Sequence, residues 1–371
     1  MSPDRDYPEE LSTDRAYRTR FGPWFVHSGV IHARSSWTLN TAFNQRLLKV
    51  RESLEQEAAL RAAQLDYFKN SPLHLEVQSQ LRQRLAIVFQ SWTGWFEEML
   101  KTFDLPHPKK RLRIQALQEY LASGESGKRV WLFRGLVGYK LERDEYAKIK
   151  TTTFAGVTTT GVAPGRGIAD LKTPASLEGA ELMSRTKKAF DDDFVDWTTP
   201  GGARYRVLLK PTHATMKDTL SRLINPTERH FFVIFSDDSC YARRLPNGQV
   251  FNCNVDIKTC DVSHTSAVFE SLRDVYPQHV RPDVQILIDQ CCAPLQLVAP
   301  ETGRTRVRLR PKGPTLYSGS TLTTNLNSYA SLVGLGPALV NCPTVRPTDL
   351  AIAVRSTGYL IEIEPCEIPE D

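Results

Sequence analysis

Apolar residues recur at helical spacing through residues 44–68, "NQRLLKVRESLEQEAALRAAQLDYF", where Ala, Leu, Glu and Arg dominate, and the stretch predicts a long amphipathic helix. A second helix is expected from "SPLHLEVQSQL", with Ser71 as its cap and Pro72 at the first helical position, running towards Leu100. A basic helix, "PKKRLRIQALQEYL", follows at 108–121. Thr, Gly and Pro then punctuate residues 151–168, which read as loop-like or extended. From residue 203 the pattern turns to short strands separated by turns and helices, an α+β arrangement. The main boundary is expected between residues 130 and 200.

Within the strand-rich part, "HFFVIFSDDSCYARR" at 230–244 predicts a β-hairpin with Asp237 and Asp238 at its tip. The next strand alternates, with Phe251, Cys253 and Val255 on one face and Asn252 and Asn254 on the other. Asp256 therefore leaves that strand on its polar face. Asp261 follows five residues later, ahead of a helix marked by Val268, Phe269, Leu272 and Val275. Ser318-Gly319 suits a turn opening another helix, on which Leu322, Leu326, Tyr329 and Val333 form an apolar stripe. Thr323 and Asn327 form the neighbouring polar stripe, which is ordinarily a helix's wet side.

Composition narrows the classes. The chain has 371 residues, 41% hydrophobic and 24% charged, as in ordinary globular proteins, and its net charge of +5 permits a nucleic-acid partner without demanding one. The charged N-terminus lacks the apolar core of a secretory signal, and no apolar run approaches the ~20 residues of a membrane helix. All seven cysteines lie from Cys240 onward without zinc-like spacing, so reduced thiols are expected. "ASGESGKRV" at 122–130 is no phosphate-binding loop, because Ala122 and Arg129 stand where that loop needs Gly and Ser or Thr.

The carboxylates carry the chemistry. Asp237 and Asp238 repel each other unless they sit in a solvated turn or share a cation. If the 250–255 strand pairs with the hairpin, Asp256 and Asp237 face each other, and three carboxylates could hold two Mg²⁺. The alternative is that all four aspartates cap turns and helices independently. "GRTRVRLRPKG" places Arg304, Arg306, Arg308 and Arg310 on one strand face, a pattern suited to tracking a phosphate backbone.

Together these segments resemble viral RNA-dependent RNA polymerases. Asp256-x4-Asp261 is similar to their motif A, Ser318-Gly319-x3-Thr323-x3-Asn327 to motif B, and "FSDDS" to motif C. The order here is C, A, B, as in the permuted polymerases of permutotetraviruses and birnaviruses, and the Asp-Asp pair is more like the former. "GARYRVLL", with Arg204 and Arg206 expected on one face, is similar to motif F. "PTDLAIAVRSTGYLIEIEP" resembles motif D, a helix, a Gly turn and a strand. The resemblance covers roughly residues 200–365.

It implies a right-hand polymerase with fingers and an antiparallel palm sheet backed by helices. Residues 1–130 would form a helical N-terminal region, 131–229 fingers, and 230–371 a palm with a fingers insertion at about 277–314. Asp237, Asp238 and Asp256 would be catalytic Mg²⁺ ligands, with Mn²⁺ able to substitute. Asp261 and Asn327 would sense the ribose 2′-OH, Ser318, Gly319 and Thr323 would shape the nucleotide pocket, and Arg204 and Arg206 would contact the triphosphate. RNA template and product and NTPs are the implied partners, and host cytoplasm or virion the implied location. Two features depart from the family: no segment remains for a thumb, so the chain is expected either to be a fragment or to take its thumb from a second polypeptide, and no Lys follows Lys312 to act as a motif D acid. A non-catalytic RNA-binding polymerase-like subunit is the alternative, and a metal-dependent phosphoesterase a third reading.

Overall fold

The computed structural model describes residues 51–102, 108–122, 133–138, 149–154, 157–162, 166–170, 173–191, 197–209, 211–235, 238–298 and 305–366. The elements in chain order are α1 (Leu54–Asn70), α2 (Leu75–Val88), α3 (Trp95–Leu100), α4 (Pro108–Ala122), β1 (Phe133–Gly138), β2 (Ile149–Phe154), β3 (Val157–Val162), β4 (Arg166–Asp170), α5 (Thr173–Asp191) and β5 (Ala203–Val207). They continue with α6 (His213–Ile224), β6 (His230–Phe235), β7 (Asp238–Arg244), β8 (Val250–Ile257), α7 (Cys260–Ser263), α8 (Ser266–Val275), α9 (Arg281–Gln290), β9 (Leu295–Val298) and β10 (Thr305–Leu309). The last are α10 (Thr323–Tyr329), a π-helical turn (Ala330–Leu335), α11 (Gly336–Asn341), α12 (Pro347–Arg355) and β11 (Ile361–Pro365). The molecule is a mixed α/β fold with a five-stranded sheet backed by helices.

That sheet runs β11-β8-β7-β6-β5, antiparallel throughout except for the parallel β5–β6 pair. The uninterrupted apolar run of β6 marks a strand buried on both faces. On one face Tyr205, Phe232, Ile234, Tyr241, Cys253, Val255 and Ile257 join the main core with Leu322, Leu326, Tyr329 and Val333. On the other, Leu208, Phe231, Val233 and Ala242 pack with Met216 and Leu223 of α6. This cover gives way at the β7–β8 end, where Asn254 and Asp256 are exposed. A second sheet runs β10-β9-β1-β4, and β2–β3 form a separate hairpin within the stretch read as loop-like or extended.

The helix of residues 44–68 is present from Leu54, opened by a capping box between Ser53 and Gln56; residues 44–50 lie outside the described residues. The helix expected from Ser71 to Leu100 is instead two. It starts at Leu75 and stops at Val88, and α3 resumes after Gly94, whose φ of 124° belongs to glycine. The motif B-like helix keeps its apolar stripe fully buried but widens into the π-helical turn. There the Val333 carbonyl accepts a 2.8 Å hydrogen bond from the Tyr67 hydroxyl of α1. Beyond it, Gly336 lies so close to the Tyr205 ring that a Cβ would come within 2.4 Å of it.

Helix α1 braces the turn that leads into β11. Arg51 pairs with Glu57 at 3.0 Å and donates to the Gly358 carbonyl at 2.8 Å. Gly358 itself has φ 83°, and a Cβ there would meet Gln64 Cβ at 2.3 Å and the Leu60 carbonyl at 2.5 Å. Both the left-handed backbone and the close approach require glycine. Gly358→Ala should therefore destabilise the protein by about 3 kcal/mol in urea denaturation. A loss below about 1 kcal/mol would show that α1 and this turn are not in tight contact.

Candidate functional site

The open end of the five-stranded sheet collects carboxylates. In the antiparallel β7–β8 ladder Asp238 stands directly opposite Asp256, and both are exposed. Residues so paired share a face, and like charges there repel. Glu362 of β11 stands opposite Asp256 from the other side and pairs with Lys258 at 3.2 Å. Beneath Asp238, the Cys240 thiol donates to Asn254 Oδ1 at 3.1 Å, and burial pushes that thiol up to about 11. Asp237 lies outside the described residues. Among the described residues no group of three or more His, Cys, Asp or Glu is arranged to hold a metal ion. Asp238 and Asp256 alone offer two hard oxygen donors on one exposed face, a pair that fits a Mg²⁺-like cation in charge and donor type.

The chain leaves β8 through Thr259, which adopts a left-handed conformation with φ 50°, unusual for a β-branched residue. This turn starts α7 and delivers Asp261 to the motif B-like segment. Asp261 Oδ2 accepts from Ser318 Oγ at 2.5 Å, and Oδ1 accepts from Asn327 Nδ2 at 3.0 Å. Ser318 is fixed in turn, its carbonyl accepting from Ala169 N at 2.9 Å. Gly319 follows at φ 101° and is exposed, while the Thr323 hydroxyl donates to the Tyr317 carbonyl at 3.2 Å. Two segments about 60 residues apart in sequence thus meet in one polar cluster, half-exposed at Asp261, Ser318 and Thr323.

The wet stripe expected on α10 is only partly wet, because Asn327 is buried. Its Oδ1 lies 2.9 Å from His264 Nε2, and His264 Nδ1 lies 2.8 Å from the Tyr359 hydroxyl. Burial lowers His264 to about 4, so the ring is neutral, and burial also raises the Tyr359 phenol far above its usual range. The pattern of the sequence marks neither His264 nor Tyr359 as part of a site. Neither residue stands in a motif, and no periodicity joins positions 95 residues apart. Gln64 of α1 grips the same loop, donating to the Ser263 carbonyl at 3.1 Å and accepting from Thr265 N at 2.7 Å.

The arginines behave differently from expectation. Arg206 is buried, donates to Asp218 Oδ2 at 2.7 Å and to Thr219 Oγ1 at 2.8 Å, and its guanidinium lies 5.7 Å from the centre of the Phe231 ring. Arg204 pairs with Glu228 at 2.8 Å. Both are drawn to neighbouring carboxylates because β5 is a covered edge of the sheet, so they do not present a shared open face to a triphosphate. Of the other four, Arg304 lies outside the described residues, Arg306 and Arg308 lie on β10, and Arg310 is exposed just after it. The β9–β10 register shifts between Thr305 and Val307, which interrupts the simple alternation assumed for this strand. All seven cysteines are free. Among the described residues no helix is long and apolar enough to cross a membrane.

No protein-family model and no curated protein matches the chain. Among solved structures it is similar to one described as the X-ray structure of the birnavirus VP1-VP3 complex, at 14% identity and a TM-score of 0.38. The match covers 58% of this chain and 28% of that one.

Three buried histidines set a pH response. His74, His230 and His264 are each lowered to about 4 by burial. An unfolded histidine titrates near ~6.5, so between these values the unfolded state binds more protons and the native state weakens as pH falls. Stability should be greatest above pH ~6.5 and decline towards pH 4, by up to about 3 kcal/mol per histidine. Carboxylates held low by arginines against their own burial, such as Glu57 beside Arg51, act chiefly below about 4.5. Urea midpoints at pH 7.5, 6.0 and 5.0 should therefore fall in step, and a flat profile over that range would contradict neutral buried histidines.

Proposed function

We propose that the chain is a template-directed RNA-synthesising nucleotidyltransferase of the permuted polymerase type, with the five-stranded sheet as its palm. The observation that carries this reading is convergence. Asp238 stands opposite Asp256, and the turn after β8 carries Asp261 into hydrogen bonds with Ser318 and Asn327. Independent turn caps would account neither for Asp238 standing opposite Asp256 nor for Asp261 bonding both Ser318 and Asn327. The motif order C, A, B is compatible with the geometry because the ladder depends on strand pairing and not on the loops that join the strands.

In this reading Asp238 and Asp256, together with Asp237, hold Mg²⁺ or Mn²⁺ at the open end of the sheet. When bound there, the cations would lower the pKa of a primer 3′-hydroxyl and neutralise charge on the nucleotide triphosphate. Asp261 and Asn327 recognise the ribose 2′-hydroxyl from the half-exposed cluster. Ser318, Gly319 and Thr323 shape the adjoining wall, with the Ser318 hydroxyl also orienting Asp261. Arg304, Arg306, Arg308 and Arg310 supply positive charge for the RNA backbone.

A second reading has a specific observation in its favour. Arg204 and Arg206 are committed to Glu228 and Asp218, so the charges that would grip a triphosphate must come from elsewhere. A non-catalytic RNA-binding subunit would need none of them. Primer extension on an RNA template with Mn²⁺ separates the two readings. The full chain should incorporate nucleotide according to the template, and Asp256→Ala should reduce incorporation by roughly a hundredfold or more without loss of fold. RNA binding with no template-directed incorporation would favour the non-catalytic subunit.

A further inference from the structure

We infer that His264 and Tyr359 are positioning residues that set the amide orientation of Asn327, and through it the choice of ribonucleotide over deoxyribonucleotide. The inference rests on the reading of Asp261 and Asn327 as the ribose-recognising pair.

An asparagine amide presents a donor on one side and an acceptor on the other, and either orientation fits the same space. Here both sides are engaged. Nδ2 donates to Asp261 Oδ1 at 3.0 Å, so Oδ1 must accept from His264 Nε2 at 2.9 Å. That bond exists only if the neutral ring carries its proton on Nε2. The tautomer is selected from behind, where the Tyr359 hydroxyl stands 2.8 Å from Nδ1 and donates to it. The order is therefore Tyr359 to His264 to Asn327 to Asp261, with Ser318 donating to the other Asp261 oxygen.

The chain runs from core to surface. Tyr359, His264 and Asn327 are buried, whereas Asp261 and Ser318 are half-exposed. Its inner members cannot exchange partners with water, so removal of one leaves the next unpaired. Without the Nε2 donor, Asn327 can rotate its amide and turn Oδ1 towards the Asp261 carboxylate, two acceptors face to face. Asp261 then leaves the geometry fixed by Ser318 and Asn327, and the half-exposed carboxylate no longer offers a fixed acceptor to a 2′-hydroxyl. A site built to bond that hydroxyl discriminates by leaving its own groups unpaired when the hydroxyl is missing, so discrimination falls when those groups are free to rearrange. The two residues are held for this purpose from outside the cluster. Gln64 grips both sides of the His264 loop, and Gly358, pressed against α1, fixes the turn carrying Tyr359.

The test uses the full chain on a primer–template RNA with a templating uridine, with Ca²⁺ in place of Mg²⁺ so that binding is read without turnover. Affinities for ATP and dATP are measured for the unsubstituted chain, Asn327→Ala, His264→Leu and Tyr359→Phe. The last keeps the ring packing if His264→Leu fails to fold. The ATP-to-dATP affinity ratio should fall about three- to tenfold in Tyr359→Phe, through weaker ATP binding with dATP binding unchanged. Equal weakening for both nucleotides would mark a merely structural role and overturn the inference. A ratio lost in Asn327→Ala but kept in Tyr359→Phe and His264→Leu would also overturn it, while leaving the ribose assignment standing. Equal affinity, or none, in the unsubstituted chain would remove the ribose assignment and this inference with it.

Discussion

The position of β8 between two antiparallel neighbours is the constraint on which the candidate site depends. Paired to β7 on one side and β11 on the other, β8 has no free edge and no freedom of register. Cys253, Val255 and Ile257 are locked into the core, so Asn254 and Asp256 must face outward. A slip of one residue would drive Asp256 into that core and expose three apolar side chains, which the hydrophobic term forbids. The same register puts Asp238 beside Asp256 despite their mutual repulsion. Core packing on one face thus holds two carboxylates together on the other, and the end of β8 dictates where Asp261 begins its turn.

Around this strand the fold works as a set of braces. Helix α1 is far from the sheet in sequence, yet its buried Gln64 and Tyr67 reach the His264 loop and the π-helical turn. Arg51 and the Gly358 contact tie the same helix to the segment before β11. One N-terminal helix therefore fixes three separate pieces of the region holding Asp261, Asn327 and Tyr359. The ribose recognition proposed for Asp261 and Asn327 needs such rigidity, because side chains free to rearrange could satisfy either sugar.

The strands around the site and the face on which Asp256 emerges were legible in the sequence, because alternation over 250–257 admits one solution. The burial of Leu322, Leu326, Tyr329 and Val333 was legible for the same reason at helical period. The split between α2 and α3 was not, since it depends on Gly94 and on tertiary contacts of the intervening turn, such as Trp92 Nε1 donating to Asp283 at 2.6 Å. Nor was the pairing of Arg206, whose alternation with Arg204 suggested an open basic face while α6 supplied a carboxylate to bury it. His264 and Tyr359 were invisible because their significance lies in a hydrogen-bond chain across 95 residues. Local periodicity specifies which way a side chain faces, but what it meets there is settled by elements distant in sequence.

The proposed function requires a cation at the open end of β7 and β8. Crystals of the full chain equilibrated with Mn²⁺, measured at the manganese absorption edge, locate such an ion directly through its anomalous scattering. A peak is expected within coordination distance of both the Asp238 and Asp256 carboxylates, on the exposed face of the sheet. That peak should vanish in Asp256→Asn crystals of the same form. Anomalous density elsewhere on the molecule, with none between these two carboxylates at millimolar Mn²⁺, would contradict it.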